Sequence, residues 1–186
     1  MNYEYEIKVL AIDIENIQKK LQELWAQKQW TYLMKRYVFD MASSNNNSCW
    51  IRLRDDGRKV TLTIKEVEHD GIDWTKEWEI IVDSFETTFE MIQKLWYTAK
   101  AYQENRRTSY TMGNVFIEID ERPMIPPYVE IEWPSIESVE NLVWLLGFEK
   151  KDTTSINTSK IYLTYGIELD TIKELRFQET LGNNTN

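Results

Sequence analysis

The chain has 186 residues, of which 42% are hydrophobic, and a formal net charge of −9, as expected for a globular domain of ordinary composition. The acidic balance disfavours nonspecific binding to nucleic acids or anionic membranes, because both need a basic surface. Cys49 is the only cysteine, which excludes an intrachain disulfide, and no apolar run resembles a signal peptide or membrane span, so we expect a cytoplasmic protein.

Apolar spacing predicts an antiparallel sheet with a few amphipathic helices. Period-two alternation predicts eight strands, at residues 3–10, 31–41, 49–54, 59–67, 74–82, 101–112, 115–121 and 128–133. Helical spacing predicts helices at about 14–29, 85–97, 135–147 and 157–165, and another that starts near Asp170. Asp13 and Ser84 are the predicted N-caps of the first two helices. Three tryptophans at apolar helical positions are predicted to lie in the core: Trp25, Trp96 and Trp144.

Nearly every predicted strand is charged on one face and apolar on the other. The charged positions include Glu4, Glu6, Lys8, Arg52, Arg54, Lys65, Glu77, Glu79, Glu118, Asp120, Glu130 and Glu132. If the helices pack on the apolar faces, the charged faces line the interior of a closed eight-stranded barrel. Buried charges of both signs must pair, stay hydrated, or bind metal and polyanion. A hydrated tunnel for metal-complexed phosphates meets these conditions; the alternative is a one-sided sheet with a solvated charged face.

Short charged motifs follow one another along nearly the whole chain. They are Glu4-Tyr5-Glu6-Ile7-Lys8, Trp50-Ile51-Arg52-Leu53-Arg54, Thr63-Ile64-Lys65, Lys76-Glu77-Trp78-Glu79, Arg106-Arg107-Thr108-Ser109-Tyr110, Ile119-Asp120-Glu121, Val129-Glu130-Ile131-Glu132 and Ser159-Lys160-Ile161-Tyr162. In this order they resemble the CYTH superfamily, also called the triphosphate tunnel metalloenzymes. The resemblance implies an α+β fold, an eight-stranded antiparallel β-tunnel with a polar lumen, flanked by helices. It also implies a single domain over residues 1–180, followed by a frayed tail at 181–186.

The resemblance implies Mg²⁺ or Mn²⁺ as cofactor, because hard oxygen ligands suit both ions. The implied metal ligands are Glu4, Glu6, Asp120, Glu130 and Glu132. The implied triphosphate-binding residues are Lys8, Arg52, Arg54, Lys65, Arg106 or Arg107, and Lys160, since arginine and lysine bind phosphate oxygens. The implied catalytic set is Glu4, Glu6, Lys8, Lys65, Glu77 and Glu79; its last two acids either pair with the basic residues or orient a water.

Two positions depart from the family pattern. Asn105 stands where many relatives have a lysine, and Arg106 is the candidate to supply the missing charge. Strand alternation, however, places Arg106 on the opposite face from Arg107, so which of the two enters the tunnel stays open. The Pro126-Pro127 pair replaces a glycine-containing turn and is interpreted as a loop variant.

Simpler interpretations of the basic residues also stay open. In one alternative, Arg52 and Arg54 are surface residues that pair with acids of a neighbouring strand. In another, Lys160 is a solvated lysine on a helix.

For function, the resemblance implies attack at a phosphorus of a metal-bound triphosphate. The leading hypothesis is hydrolysis of inorganic tripolyphosphate, or of an organic triphosphate such as thiamine triphosphate or a nucleoside triphosphate. The first alternative is a class IV adenylate cyclase, which converts ATP to cyclic AMP and pyrophosphate; the second is a noncatalytic polyphosphate-binding module. The expected partner is thus a small-molecule triphosphate, with no nucleic acid and no membrane, and exposed aromatic residues leave a homodimer open.

Overall fold

The computed structural model of the chain describes residues 5–41, 48–67, 75–133 and 136–178. These residues form a mostly antiparallel β-sheet with four α-helices, which confirms the predicted fold class. No helix within them is both long and apolar enough to cross a membrane. Predictions for Glu4, for the loop between β4 and β5 and for the C-terminal tail lie outside the described residues.

The strands agree closely with the predicted ones. They are β1 Tyr5–Val9, β2 Gln27–Met41, β3 Ser48–Asp55, β4 Val60–Val67, β5 Thr75–Val82, β6 Ala101–Met112, β7 Val115–Arg122, β8 Ile125–Trp133, β9 Thr153–Thr154 and β10 Glu174–Leu175. The helices are α1 Ile14–Glu23, α2 Phe85–Lys94, α3 Ile136–Leu145 and α4 Thr158–Thr164, with short 3₁₀ turns at Lys150–Asp152 and Leu169–Thr171. The main strand error is at the start of β2, which takes over residues assigned to the end of the first helix.

Both predicted N-caps are confirmed. The Asp13 carboxylate accepts a hydrogen bond from the Asn16 amide at 3.2 Å, and the Ser84 hydroxyl accepts one from the Thr87 amide at 3.1 Å. Each bond satisfies an amide that the first turn of a helix leaves without a partner.

Helices α1 and α2 end earlier than predicted, because the residue after each C-cap turns left-handed. Trp25 has φ 60° and Trp96 has φ 68°. At the end of α1, the amides of Trp25 and Ala26 donate to the carbonyls of Gln22 and Leu21, at 3.0 and 2.9 Å. This is the Schellman pattern of a helix C-terminus, in which glycine is the usual left-handed residue.

The prediction that three tryptophans lie in the core was wrong. Trp25, Trp96 and Trp144 are 89%, 94% and 70% exposed. Trp25 and Trp96 follow the ends of their helices and have left-handed backbone angles. Their side chains therefore do not continue the apolar face of the helix, as the helical spacing had predicted. Helical periodicity loses its meaning at the residue where the helix stops.

The structure divides into two compact units, and β2 and β6 contribute residues to both. The first unit holds the described residues up to Tyr32 and those from Arg106 to Leu169. Its strands β6, β7, β8, β1 and β9 are hydrogen-bonded in that order. Its core joins the apolar faces of these strands to α1 and α3: the buried members include Ile17, Leu21, Ile117, Val129, Ile131 and Leu142.

The second unit holds Leu33–Asn105 and the described residues from Asp170 onward. Its strands follow the order β5, β4, β3, β2 and β6. Its core joins the apolar faces of β2 and β3 to α2, with Phe39, Leu53, Phe85 and Ile92 buried. In both units, the opposite strand face therefore carries the charged residues.

Two further predictions were wrong. The helix predicted near Asp170 is a 3₁₀ turn followed by β10, which pairs in parallel with β6 through Glu174 opposite Tyr102. Pro126 and Pro127 are not a loop but the start of β8, and the Pro127 carbonyl accepts a hydrogen bond from the Ile12 amide at 3.0 Å. The turn before β8 is made instead by Met124, whose φ is 70°.

Candidate functional site

The charged face of the first unit carries more acids than bases. We call its five carboxylates the acidic cluster: Glu6, Glu118, Asp120, Glu130 and Glu132. Antiparallel pairing places Lys8 directly opposite Glu130, and Glu130 directly opposite Glu118, on three adjacent strands. Directly paired side chains of a sheet share one face and lie within contact distance, so the strand register itself assembles this cluster.

Arg107 is the main counter-charge of the acidic cluster. Its Nε and Nη2 donate to the two carboxylate oxygens of Asp120, at 3.1 and 2.5 Å. Its Nη1 donates to Glu118, and its Nη2 lies 3.7 Å from Glu130. Burial alone would lower the pKa of Arg107, but the surrounding carboxylates outweigh burial and raise it. Arg107 is thus firmly cationic in this setting.

Lys8 and Glu118 show the electrostatic strain of the cluster. Lys8 is only 5% exposed; its ammonium donates to Glu6 and lies 3.8 Å from Glu130. Burial lowers the pKa of Lys8. Burial also raises the pKa of Glu118, with Glu130 and Asp120 adding to the effect. Burial thus disfavours the charged form of both groups, and for Glu118 the neighbouring carboxylates add to an effect that additional positive charge would relieve.

A buried pair closes the cluster at the end of β7. The Arg122 Nε donates to the Tyr128 hydroxyl at 2.8 Å, and both side chains are almost fully buried. Burial raises the pKa of Tyr128 to about 12. Arg122 Nη1 is buried without a hydrogen-bond partner among the described residues. A cation so placed adds its field to that of Arg107 beside Asp120.

The structure separates the two candidate arginines of β6. Arg107 pairs with Asp120 and Arg106 with Glu121 in the strand register. The Arg106 side chain is 46% exposed and its Nη1 lies 3.3 Å from the Glu121 carboxylate, on the face opposite the acidic cluster. Arg107 is therefore the arginine on the charged face, and Arg106 is not.

The donor set of the acidic cluster suits a hard divalent cation. Within the part of the chain that the structure describes, five carboxylates share this face with three bases, Lys8, Arg107 and Arg122, so these acids outnumber these bases by two. Among the described residues no three carboxylates are grouped tightly enough to hold a metal as they stand, and Lys8 and Arg107 form ion pairs with several of them. The residues fit Mg²⁺ or Mn²⁺ by their oxygen chemistry.

The charged face of the second unit is basic. We call Arg52 and Arg54 of β3 and Lys65 of β4 the basic cluster. Acidic residues of β5 lie next to it. The Arg52 Nη2 lies 3.6 Å from Glu79, and the Lys65 ammonium donates to Glu77. Burial lowers the pKa of Arg52, and the neighbouring Arg54 adds to the effect. The basic cluster therefore places positive charges close together on a partly buried surface.

Glu79 is held by several donors at once. The Thr63 hydroxyl donates to Glu79 at 2.8 Å, and Lys59 lies 3.7 Å from it. Burial would raise the pKa of Glu79, but the Thr63 hydrogen bond and the charges of Arg54, Lys59 and Arg52 lower it. The predicted pairing of the basic residues with the acids of β5 thus exists for Arg52 and Lys65, yet it leaves the Arg52 Nε without a hydrogen-bond partner among the described residues.

Three buried polar atoms of this face lack hydrogen-bond partners among the described residues. They are the Nε atoms of Arg52 and Arg54 and the hydroxyl of Thr61. A buried donor without a partner costs free energy, and a charged donor costs more. An anion bound to this face would supply acceptors for such atoms.

Two further predicted site residues are Glu4 and Lys160. Glu4 lies outside the described residues, so its role as a ligand stays a prediction. Lys160 is exposed on α4, a position that fits both a phosphate-binding role and a solvated lysine.

Sequence reasoning missed several side chains on the charged faces. These are Glu118, Arg122 and Tyr128 in the first unit, and Arg36, Thr61 and Gln103 in the second. The period-two pattern had placed Glu118 on the charged face without giving it a role. Arg36 shares the face of Arg54, its direct partner in β3, so its signal was the strand register, which the sequence alone does not fix.

Comparison with known families identifies the constellation. The CYTH domain family matches residues 2–162, most of the chain. The chain belongs to the CYTH family. The antiparallel sheet with its charged strand faces is the CYTH fold, and the resemblance inferred from the motifs is confirmed. A comparison with curated proteins finds no match.

Solved structures carry the same fold. A protein from Pyrococcus horikoshii OT3 superposes with a TM-score of 0.64 at 21% identity, covering 83% of this chain and 96% of its own. A "putative adenylate cyclase" from Vibrio parahaemolyticus gives a TM-score of 0.67 at 11% identity, over 87% and 98%. An adenylyl cyclase candidate from Hippeastrum, described as having a dominant triphosphatase activity, gives 0.57 at 17% identity, over 89% and 96%. At these identities the likeness establishes the fold of the CYTH chain.

Proposed function

We propose that the chain is a divalent-metal-dependent triphosphatase acting on inorganic tripolyphosphate or on an organic triphosphate. Family membership supports a triphosphate as the class of substrate. The observation that carries the proposal is the pair of buried Nε donors of Arg52 and Arg54 without partners. Guanidinium groups recognise phosphate oxygens through paired, charge-assisted hydrogen bonds, and burial strengthens them by excluding water.

In this proposal the basic cluster binds phosphate oxygens. Glu79 and Thr63 hold Arg52 in place, and Glu77 positions the ammonium of Lys65. Fixed donors of this kind stabilise the charge that develops on the transferring phosphoryl group, because they need no reorganisation during the reaction. Water attacks the terminal phosphorus, the phosphorus–oxygen bond to the rest of the chain breaks, and phosphate and a diphosphate leave.

The acidic cluster would hold Mg²⁺ or Mn²⁺. Glu6, Glu118, Asp120, Glu130 and Glu132 are its ligand candidates, with Glu4 added from the family resemblance. When bound, the metal neutralises phosphate charge and lowers the pKa of a bound water. Arg107 would hold Asp120 and Glu118 in position, and Lys8 would hold Glu6, before a metal binds.

The Hippeastrum neighbour supports hydrolysis as the first choice, since its description names a cyclase but reports mainly triphosphatase activity. Cyclisation of ATP uses the same metal and basic groups, with the ribose 3′-hydroxyl in place of water. It is therefore the second candidate, supported by the cyclase-like neighbours.

The test is product analysis. The purified protein is incubated with tripolyphosphate, thiamine triphosphate and ATP, each with Mg²⁺, with Mn²⁺ or with a chelator, and the products are separated by ion-exchange chromatography. Metal-dependent release of phosphate with a diphosphate product is expected. Formation of cyclic AMP and pyrophosphate from ATP would favour the cyclase over the triphosphatase. If none of the three substrates is turned over with either metal, both proposed activities are overturned.

A further inference from the structure

A row of polar side chains crosses the second unit beside the Arg52 row. In the strand register Arg36 of β2 pairs with Arg54 of β3, and Arg54 pairs with Thr61 of β4. The Gln103 amide oxygen accepts a hydrogen bond from the Arg36 Nε at 2.8 Å, which brings β6 into the same row. We call Arg36, Arg54, Thr61 and Gln103 the second row. The Arg52 row, two residues away along β3, runs from Arg52 through Thr63 to Glu79.

The two rows differ in whether an acid stands in their strand register. The Arg52 row contains Glu79, which lies 3.6 Å from Arg52. In the strand register the second row continues from Thr61 to Ile81 of β5, so it contains no acid, although the charge of Arg54 also reaches Glu79 of the Arg52 row. Two arginines directly opposite each other on one sheet face repel at short range. Such a pair is stabilised when an anion binds between the guanidinium groups.

Thr61 gives independent evidence for a ligand in the second row. Its side chain is 1% exposed, and its hydroxyl has no hydrogen-bond partner among the described residues. The Nε of Arg54, directly opposite, is also buried without a partner. A hydroxyl can donate to a phosphate oxygen, so one phosphate group would satisfy both atoms.

We propose that the second row is an additional phosphate subsite, with Arg36 and Thr61 as residues that select for the length of the phosphate chain. This inference rests on the proposed function and deepens it. Two residues along a strand correspond to about 7 Å, a separation that the two end phosphates of one triphosphate can bridge with flexible arginines. A triphosphate engages both rows at once, whereas a diphosphate engages them less completely. Arg36 therefore contributes more to triphosphate affinity than to diphosphate affinity.

The experiment measures binding of tripolyphosphate and pyrophosphate by isothermal titration calorimetry, in a chelator so that no turnover occurs. Three variants are compared with the wild type. Arg36→Gln removes the charge, Thr61→Val removes the hydroxyl at nearly constant shape, and Lys35→Gln is the matched control. Lys35 neighbours Arg36 on β2 but faces the other way, with its ammonium 3.1 Å from Glu86.

We expect Arg36→Gln to weaken tripolyphosphate binding by about tenfold or more, since one charge-assisted contact is lost. The same variant should weaken pyrophosphate binding by a smaller factor. Thr61→Val should weaken the binding of both ligands, but by less than Arg36→Gln does. Lys35→Gln should bind both ligands as the wild type does. Unchanged tripolyphosphate affinity in Arg36→Gln and Thr61→Val would overturn the proposal, as would equal losses for both ligands. If the wild type turns over triphosphates but these variants bind normally, only this inference fails. If the wild type neither binds nor turns them over, the proposed function fails with it.

Discussion

The guanidinium of Arg107 holds the fully buried carboxylate of Asp120 through two parallel hydrogen bonds, Nε to Oδ1 at 3.1 Å and Nη2 to Oδ2 at 2.5 Å. This fork-to-fork geometry fixes both side chains in direction as well as in charge. A metal ligand and a phosphate-binding arginine, as the family resemblance assigns them, are thus each other's partners in the protein alone. Binding of a metal and a polyanion would let the two exchange partners without leaving either charge exposed.

Removing Arg107 should be far more costly than removing Arg106. Arg107→Met takes the guanidinium from the buried Asp120 carboxylate and should lower the free energy of unfolding by about 3 kcal/mol or more. Arg106→Met breaks only a pair with Glu121, in which Arg106 is 46% exposed, and should cost less than about 1 kcal/mol. Urea unfolding followed by tryptophan fluorescence measures both. Equal losses in the two variants would contradict the assignment of Arg107 to the charged face.

Glu130 should govern activation by the metal. Its two oxygens lie 3.8 Å from the Lys8 ammonium and 3.7 Å from Arg107 Nη2, so it sits at the centre of the acidic cluster. Glu130→Gln removes one charged oxygen ligand and should raise the Mg²⁺ concentration for half-maximal turnover by about tenfold or more. The matched control is Glu121→Gln, which acts on the opposite face and should leave the titration unchanged. A Glu130→Gln titration that overlays that of the wild type would remove Glu130 from the set of ligands.

Glycine should replace either left-handed tryptophan with a gain in stability. Trp25 and Trp96 occupy the position after the helix C-cap with φ 60° and 68°, and both side chains are at least 89% exposed. A non-glycine residue pays about 1 kcal/mol for this conformation, and little apolar burial is lost on truncation. Trp25→Gly and Trp96→Gly should each raise the free energy of unfolding by roughly 0.5–1 kcal/mol. The converse control is Gly166→Ala, at φ 73° with nothing near an added Cβ, which should lower it; a clear loss in the tryptophan variants would contradict the helix ends described above.

Glu79 should make part of the stability sensitive to acid. The pKa of Glu79 in the folded protein is lowered from the ordinary value of 4.5. The folded state therefore stabilises the ionised carboxylate relative to the protonated form. This contribution is fully present above about pH 4.5 and is lost as the pH falls through the lower, folded pKa. The difference in unfolding free energy between the wild type and Glu79→Gln should therefore shrink as the pH falls from 6 to 3 (about these values). A difference that stays constant over this range would show that Glu79 is not held by Thr63 and the basic cluster.

Much of the fold follows from local pattern. Period-two alternation predicted β6 and β7 to within one residue, and it placed Asp120 on a charged face before any strand pairing was known. It put Arg106 and Arg107 on opposite faces of β6 but left open which of them lies beside Asp120, and the strand register decides this for Arg107. Cap residues such as Asp13 and Ser84 marked the helix starts because their chemistry is local. The charged face of most strands was thus predictable from the residues of that strand alone, and β6 was the exception.

The errors arise where the outcome depends on distant parts of the chain or on a single backbone angle. β10 forms because Glu174 and Leu175 pair with β6, about seventy residues away in sequence, and two residues carry no periodicity. Trp25 was misplaced by one left-handed residue that stopped the helix. Arg36 received no role because its proximity to Arg54 depends on the register between β2 and β3.

The most direct test of the central claim follows oxygen from water into the products of tripolyphosphate. The protein is incubated with tripolyphosphate in ¹⁸O-labelled water, with Mg²⁺ or with a chelator, and the products are analysed by mass spectrometry. The account predicts one solvent oxygen per bond broken, phosphate and pyrophosphate in equal amounts, and no reaction in the chelator. It would be contradicted by turnover that continues undiminished in the chelator, or by intact tripolyphosphate under conditions in which ATP is converted to cyclic AMP without solvent oxygen.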